Sequence, residues 1–254
     1  MNDKAVSEAI GFVLILGIVI SGIGLVTLYG YPVLIKEQSN TDVKNMERAM
    51  IVIQNDMKSL CYKNVPYKET SLQVSGGTLE VIDARDSESS FNISVLDSAG
   101  AYSYNSGSLK LGELRYRSDR GSEVITLENG AVMTRQEGST GSAMLAEPRW
   151  FYDGPTETFV IYIMNISADE PMSKSGMGAV RMSLENTNTQ PPVSVPSGGS
   201  VRVEYESGSP GNLVAWENYL SGSSLKMSGS GGTYTLSGAE KLVIKEYEIK
   251  IHDI

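Results

Sequence analysis

This chain carries little that could support redox, metal or nucleophilic chemistry. Its 254 residues hold one cysteine, Cys61, and one histidine, His252. A lone thiol closes no internal disulfide and builds no cysteine-based zinc site. One imidazole leaves no room for a histidine-rich metal centre. Basic side chains are the minority, 21 against 30 acidic, for a net charge of −9. A chain of that sign lacks the basic face that displaces counterions from a phosphate backbone, so no nucleic-acid partner is expected. No Gly-x-Ser-x-Gly elbow is backed by a usable base, and the Gly/Ser run Ser228–Gly232 lacks the lysine and strand–helix setting of a P-loop. EF-hand spacing is absent. The acid pairs Asp83/Asp86 and Asp169/Glu170 read as solvated loop carboxylates. No catalytic residue, cofactor or metal ligand is assigned.

One long apolar run is present. Ala9 to Ile35 is 27 residues without a carboxylate, ammonium or guanidinium, 19 of them apolar. At about 1.5 Å per residue, a helix of that length reaches about 40 Å, more than the roughly 30 Å hydrocarbon core. Tyr29 and Tyr31 cluster at its far end, where amphipathic rings favour the headgroup zone. The segment is read as membrane-embedded. It is longer than the apolar core of a secretory signal peptide, and no small-x-small cleavage site follows it. A plain single-pass anchor remains the simpler alternative.

The order Met-Asn-Asp-Lys-Ala-Val-Ser-Glu-Ala-Ile-Gly-Phe adds something more specific. A short polar leader and a basic–small pair, Lys4-Ala5, precede the apolar run directly. This resembles the class III signal peptide of archaeal type IV pilins and archaellins. The resemblance implies cleavage by a prepilin peptidase between Ala5 and Val6, with the apolar helix kept on the mature chain. Ser7, Glu8, Ile10 and Gly11 are similar to the Ser-x-x-Ile-Gly opening of many archaeal pilins. Bacterial type IV pilins usually carry glutamate at the fifth mature position; here the acid stands third, at Glu8, which points to the archaeal branch. Cleavage would free an amine on Val6, and in a filament Glu8 of a neighbouring subunit is suited to pair with it. Gly11, Gly17, Gly22, Gly24 and Gly30 offer small surfaces for close helix approach, or simply reflect ordinary transmembrane composition.

Pro32 removes a backbone donor and is expected to kink the helix or release a carbonyl. Beyond it, Val43, Met46, Met50, Ile53, Met57 and Leu60 make one apolar stripe at spacings of three and four, with charged residues elsewhere. The stripe fits a helix lying on a sheet better than a coiled-coil seam, because it is rich in methionine and short in heptads. Cys61, beside Leu60, reads as a packing residue. The helix is expected to end before Pro66.

From Tyr67 the period becomes alternating. Strand-like runs are Thr78–Ile82, Phe91–Leu96, Leu109–Arg117, Val124–Leu127, Ala131–Arg135, Thr158–Asn165, Ala179–Glu185, Val201–Glu206 and Lys241–Ile251, separated by Gly, Ser, Asn and Pro clusters. Asn129-Gly130 signals a hairpin. A short helix is expected after Pro210-Gly211, with Leu213, Trp216, Tyr219 and Leu220 on one face. The series Leu-Arg-Tyr…Glu-Asn-Gly-Ala-Val-Met…Glu-Pro-Arg-Trp is similar, more loosely, to the heads of archaeal pilin-like proteins. Two sequons, Asn92-Ile93-Ser94 and Asn165-Ile166-Ser167, are glycosylation candidates in an exported head.

The expected protein is α+β: a leader over residues 1–5, a membrane and assembly helix over 6–35, an amphipathic stalk helix over 36–64, and a β-rich extracellular head over 65–254. Its expected role is that of a pilin-like subunit, minor or accessory, of an archaeal surface filament. Its implied partners are the membrane, prepilin peptidase, other pilin-like subunits with their assembly machinery, and a surface ligand. The alternative is an anchored surface binding or adhesion protein that does not polymerise.

Overall fold

The computed structural model describes residues 3–63, 65–208, 211–222, 224–225 and 227–254, with side chains from Ile10 onward. The chain is α+β, a long amino-terminal helix followed by a β-rich domain, and it forms two compact units, Met1–Asp42 and Val43–Ile254.

The first unit is helical throughout its described length. It comprises α1 (Asp3–Leu25), a π-helical turn (Val26–Gly30) and the start of α2 (Tyr31–Lys63). The π turn accounts for how Pro32 is accommodated. Proline lacks an N–H, and its ring presses on the carbonyl four residues earlier, here that of Leu28. Widening the preceding turn, with Tyr31 N–H donating to Val26 O, lets the helix continue. The expected disturbance is therefore a local widening that leaves the chain helical on both sides.

In the second unit the α2 stripe from Val43 to Leu60 is buried, in one hydrophobic core with the strands. That decides for sheet packing over a coiled-coil seam. Gln54 interrupts the stripe, and its Nε2 donates to Gly130 O at 2.6 Å and Glu147 O at 3.0 Å. The helix stops at Lys63, before Pro66.

The strands are β1 (Tyr67–Ile82), β2 (Ser90–Leu96), β3 (Tyr102–Lys110), β4 (Glu113–Ser118), β5 (Glu123–Glu128), β6 (Ala131–Gln136), β7 (Ser142–Ala146) and β8 (Phe151–Asp153). They continue as β9 (Thr158–Ser167), β10 (Met172–Thr189), β11 (Val193–Ser194), β12 (Ser200–Glu206), β13 (Ser228–Ser230), β14 (Thr233–Ser237) and β15 (Lys241–Asp253), with α3 (Asn212–Ser221) between β12 and β13. The larger sheet runs β7-β6-β5-β4-β1-β10-β15-β9-β8, with β11 beside β15; the smaller runs β13-β14-β12-β2-β3. Pairing is antiparallel except for β15 with β9.

Two local signals are met and one fails. Asn129 and Gly130 both take left-handed conformations, φ 49° and 69°, as a type I′ hairpin requires. The short helix expected around Trp216 also forms, as α3, with Trp216, Tyr219 and Leu220 buried and Leu213 half-buried. The single run expected over Leu109–Arg117 is instead two strands in different sheets, β3 and β4. The chain changes sheet at Gly112, where a Cβ would land on the Ile166 carbonyl, so only glycine passes.

Register and alternation assign the faces of the larger sheet. Tyr162 and Tyr247 meet Tyr62 of α2, with ring centroids 5.2 and 5.9 Å away. Their face is the one packed on the helix. The opposite face meets the smaller sheet and α3 through a cluster of Phe91, Trp150, Tyr205 and Trp216. The layers are thus helix, sheet, and sheet with helix.

The outer edge of β9 is sealed by the chain itself. β8 pairs only with Thr158–Val160. Beyond it, Trp150 Nε1 donates to Tyr162 O at 2.8 Å, and Asn129 Oδ1 accepts from Met164 N–H at 2.7 Å. Further along, Ala84 N–H reaches Ile166 O at 3.3 Å, and Asp83 Oδ2 accepts from Ala168 N–H at 2.8 Å. An open edge here would leave buried ladder groups orphaned or invite pairing with another chain.

Candidate functional site

The amino-terminal helix is the first candidate element. Every large apolar side chain from Ile10 to Leu34 is at least 45% exposed. This is the one candidate membrane span among the described residues. Exposed apolar surface of this extent calls for lipid or protein around it. A Cβ at Gly11, Gly17, Gly22 or Gly24 would meet nothing within 4 Å. Among the described residues nothing packs into the space these glycines leave, although each costs about 1 kcal/mol of helix propensity relative to alanine.

A buried acid cluster lies on the far side of the larger sheet. Glu113 and Glu128 are cross-strand partners on β4 and β5, 3% and 0% exposed. Glu128 Oε1 accepts from Tyr205 Oη at 2.8 Å and Trp216 Nε1 at 3.0 Å. Glu113 is paired with Arg115. Both acids keep one buried oxygen, Oε2, without a partner. Burial, then the neighbouring Glu113 charge, pushes Glu128 up to about 7 against the donors that favour its ionised form. Burial also raises Glu113, with the Arg115 charge opposing. The arrangement can hold one proton near neutral pH.

A trough opens on the larger sheet where β9, β15 and β10 run past the end of β3. Its two compartments have volumes of about 310 and 520 Å³ and share Asn165, Asn186 and Glu248. Lys110 bounds one compartment; Asp83, Arg85 and Asp169 bound the other. Arg85 and Ala168 hydrogen-bond to Asp83 and, against the cost of burial, hold its carboxyl below the ordinary range.

A family profile matches residues 4–251, from Lys4 to the last strand. The chain belongs to DUF7289, a family of unknown function. No curated protein and no solved structure matches it. The match takes in both compact units, so helix and head together make up the DUF7289 unit.

The residues singled out in this DUF7289 chain are distributed as follows. Lys4, Ala5, Val6 and Glu8 lie in α1, but their side chains fall outside the described residues. Gly11, Gly17 and Gly22 follow in α1, and Pro32 is the second residue of α2. Asn92 is in β2, an interior strand of the smaller sheet, where its Nδ2 donates to Glu204 at 3.2 Å. Asn165, expected at a strand end, lies within β9, and its Oδ1 accepts from Gly112 N–H at 3.0 Å. Cys61 is buried, and burial pushes its thiol up to about 12. Among the described residues no group of three or more His, Cys, Asp or Glu is placed to hold a metal ion. Sequence reasoning missed the Glu113–Glu128 pair. The one available signal was an acid directly before the Asn-Gly turn; alternation set it with Thr126, opposite Ile125 and Leu127, and so gave no hint of burial.

Proposed function

We propose that this protein is a pilin-like subunit, minor or accessory, of an archaeal cell-surface filament. A prepilin peptidase would cleave it between Ala5 and Val6, and the mature chain would assemble through its amino-terminal helix with the β-rich head outside the cell. The observation that carries this reading is the exposed apolar helix from Ile10 to Leu34, with the Lys4-Ala5-Val6 motif three residues before it. An uncharged helix of this length is soluble only in lipid or among other apolar helices. Four glycines with open space around them leave its surface smooth for such neighbours. The sealed β9 edge suits a head exposed to a crowded surface without sheet-to-sheet aggregation.

The test is the amino terminus of the protein from native membranes, with an Ala5→Trp variant beside it. The expected outcome is a chain beginning at Val6, loss of processing in the variant, and recovery of the wild type in sheared filaments. An unprocessed wild-type start at Met1 would overturn the reading. Processing without incorporation into filaments would leave the anchored, non-polymerising surface protein as the function.

A further inference from the structure

We propose that the trough over β9, β15 and β10 is a binding site for a neutral oligosaccharide. The inference goes beyond filament assembly and stands on the head alone.

Its centre is a row of three side chains. Asn165 pairs with Glu248 across β9 and β15, and Glu248 pairs with Asn186 across β15 and β10. Paired residues project from the same face, and neighbouring strands lie about 4.8 Å apart, so amide, carboxylate and amide stand in line over about 10 Å. Glu248 and Asn186 have no hydrogen-bond partner among the described residues, and Asn165 commits only its Oδ1, to Gly112. Three polar groups are thus left ready on the floor.

The surrounding groups are already engaged. Glu246 accepts from Gln190 at 2.7 Å, which in turn accepts from Tyr104 Oη. Lys250 pairs with Asp169 at 2.9 Å, and Asp83 is held by Arg85 and Ala168. Walls fixed in advance lower the entropy lost when a ligand settles.

The chemistry of the floor selects the ligand class. A sugar hydroxyl donates and accepts at once, which matches an alternation of amide donors and a carboxylate acceptor. Leu109 and, on the floor, Ile163 line one compartment and offer apolar contact for ring C–H faces. An anionic ligand is disfavoured: Asp83, Asp169, Glu185, Glu246 and Glu248 line the trough against Lys110, Lys250 and Arg85. A largely apolar ligand would strand the row's polar groups without partners.

The experiment presents the full-length protein in lipid nanodiscs to an array of neutral oligosaccharides, with uronic-acid and sulfated oligosaccharides alongside. Binding to neutral members over acidic ones is expected. Glu248→Ala and Asn186→Ala should each weaken it by about tenfold, the worth of one lost hydrogen bond of this kind. Both should leave the thermal midpoint nearly unchanged, since neither side chain has a hydrogen-bond partner to lose and Glu248 has only a charge interaction with Lys250. Thr187→Ala, next to Asn186 but on the other face of β10, should bind as the wild type does. Failure to bind any neutral oligosaccharide, or binding that survives both trough substitutions, overturns the proposal. So does native protein carrying a covalent glycan on Asn165, which would fill the trough itself. None of these outcomes bears on cleavage at Val6.

Discussion

Trp216 donates its indole Nε1–H to Glu128 Oε1 at 3.0 Å, so a helix in one layer is tied to an acid buried in another. Tyr205 Oη holds the same oxygen, and Glu113 sits opposite on the neighbouring strand. The head is thereby built around a carboxyl whose charge is costly.

The pH dependence follows from that cost. Glu128 lies at about 7 when folded, against an ordinary value of 4.5. Between those values the folded state binds the extra proton, so stability falls as pH rises. The contribution is fully present below about pH 4.5 and lost as pH passes 7, with a ceiling of order 3 kcal/mol. Urea unfolding followed by tryptophan fluorescence should show the midpoint falling from pH 5 to pH 8. Glu128→Gln should flatten that slope; a slope that persists in the variant would show that other groups are responsible.

Asn129 has two separable duties. Its left-handed φ of 49° forms the hairpin, and its Oδ1 takes the Met164 N–H of the β9 edge. Asn129→Gly keeps the turn and orphans a buried donor, for an expected loss of about 1–3 kcal/mol. Asn129→Ala adds left-handed strain and should be worse by about 1 kcal/mol. Equal losses in chemical denaturation would refute the division of duties.

The α2 stripe should separate sharply from its outer face. Met50 is fully buried, so Met50→Ala is expected to cost about 2–5 kcal/mol by opening a cavity between helix and sheet. Val52, half-exposed two residues on, should change stability by no more than about 0.5 kcal/mol when cut to alanine. Comparable losses at the two positions would mean that α2 is not seated on the sheet through this stripe.

Cys61 should be inert in the folded protein. Burial keeps it a thiol, and the thiolate is the reactive form. Iodoacetamide at pH 8 is expected to label it only after unfolding in denaturant. Rapid labelling of native protein would place Cys61 outside the core.

The legible parts of this protein are those whose physics is local. An uncharged run from Ala9 to Ile35 needs no knowledge of its neighbours to be read as a helix that avoids water. The α2 stripe, the Asn129-Gly130 turn and the short helix around Trp216 are likewise written within a few residues. Distance in the chain marks where legibility ends. The run Leu109–Arg117 looked continuous because alternation does not say which sheet a strand joins; the Ile166 carbonyl pressed against Gly112 does. Strand β13, made of Ser and Gly, and β7, where Met144 and Leu145 stand side by side between small residues, carried no hydrophobic alternation to find.

The acidic balance, the uncharged helix and the β-rich head were settled by composition and period alone. Tertiary structure decided which polar residues matter. Glu128 is an ordinary acid before a turn until Tyr205 and Trp216, 77 and 88 residues away, close over it. Asn165, Glu248 and Asn186 are three scattered polar residues until register sets them in one row. Desolvation and hydrogen-bond geometry depend on what surrounds a group in space, and that surrounding is assembled only when distant strands pair.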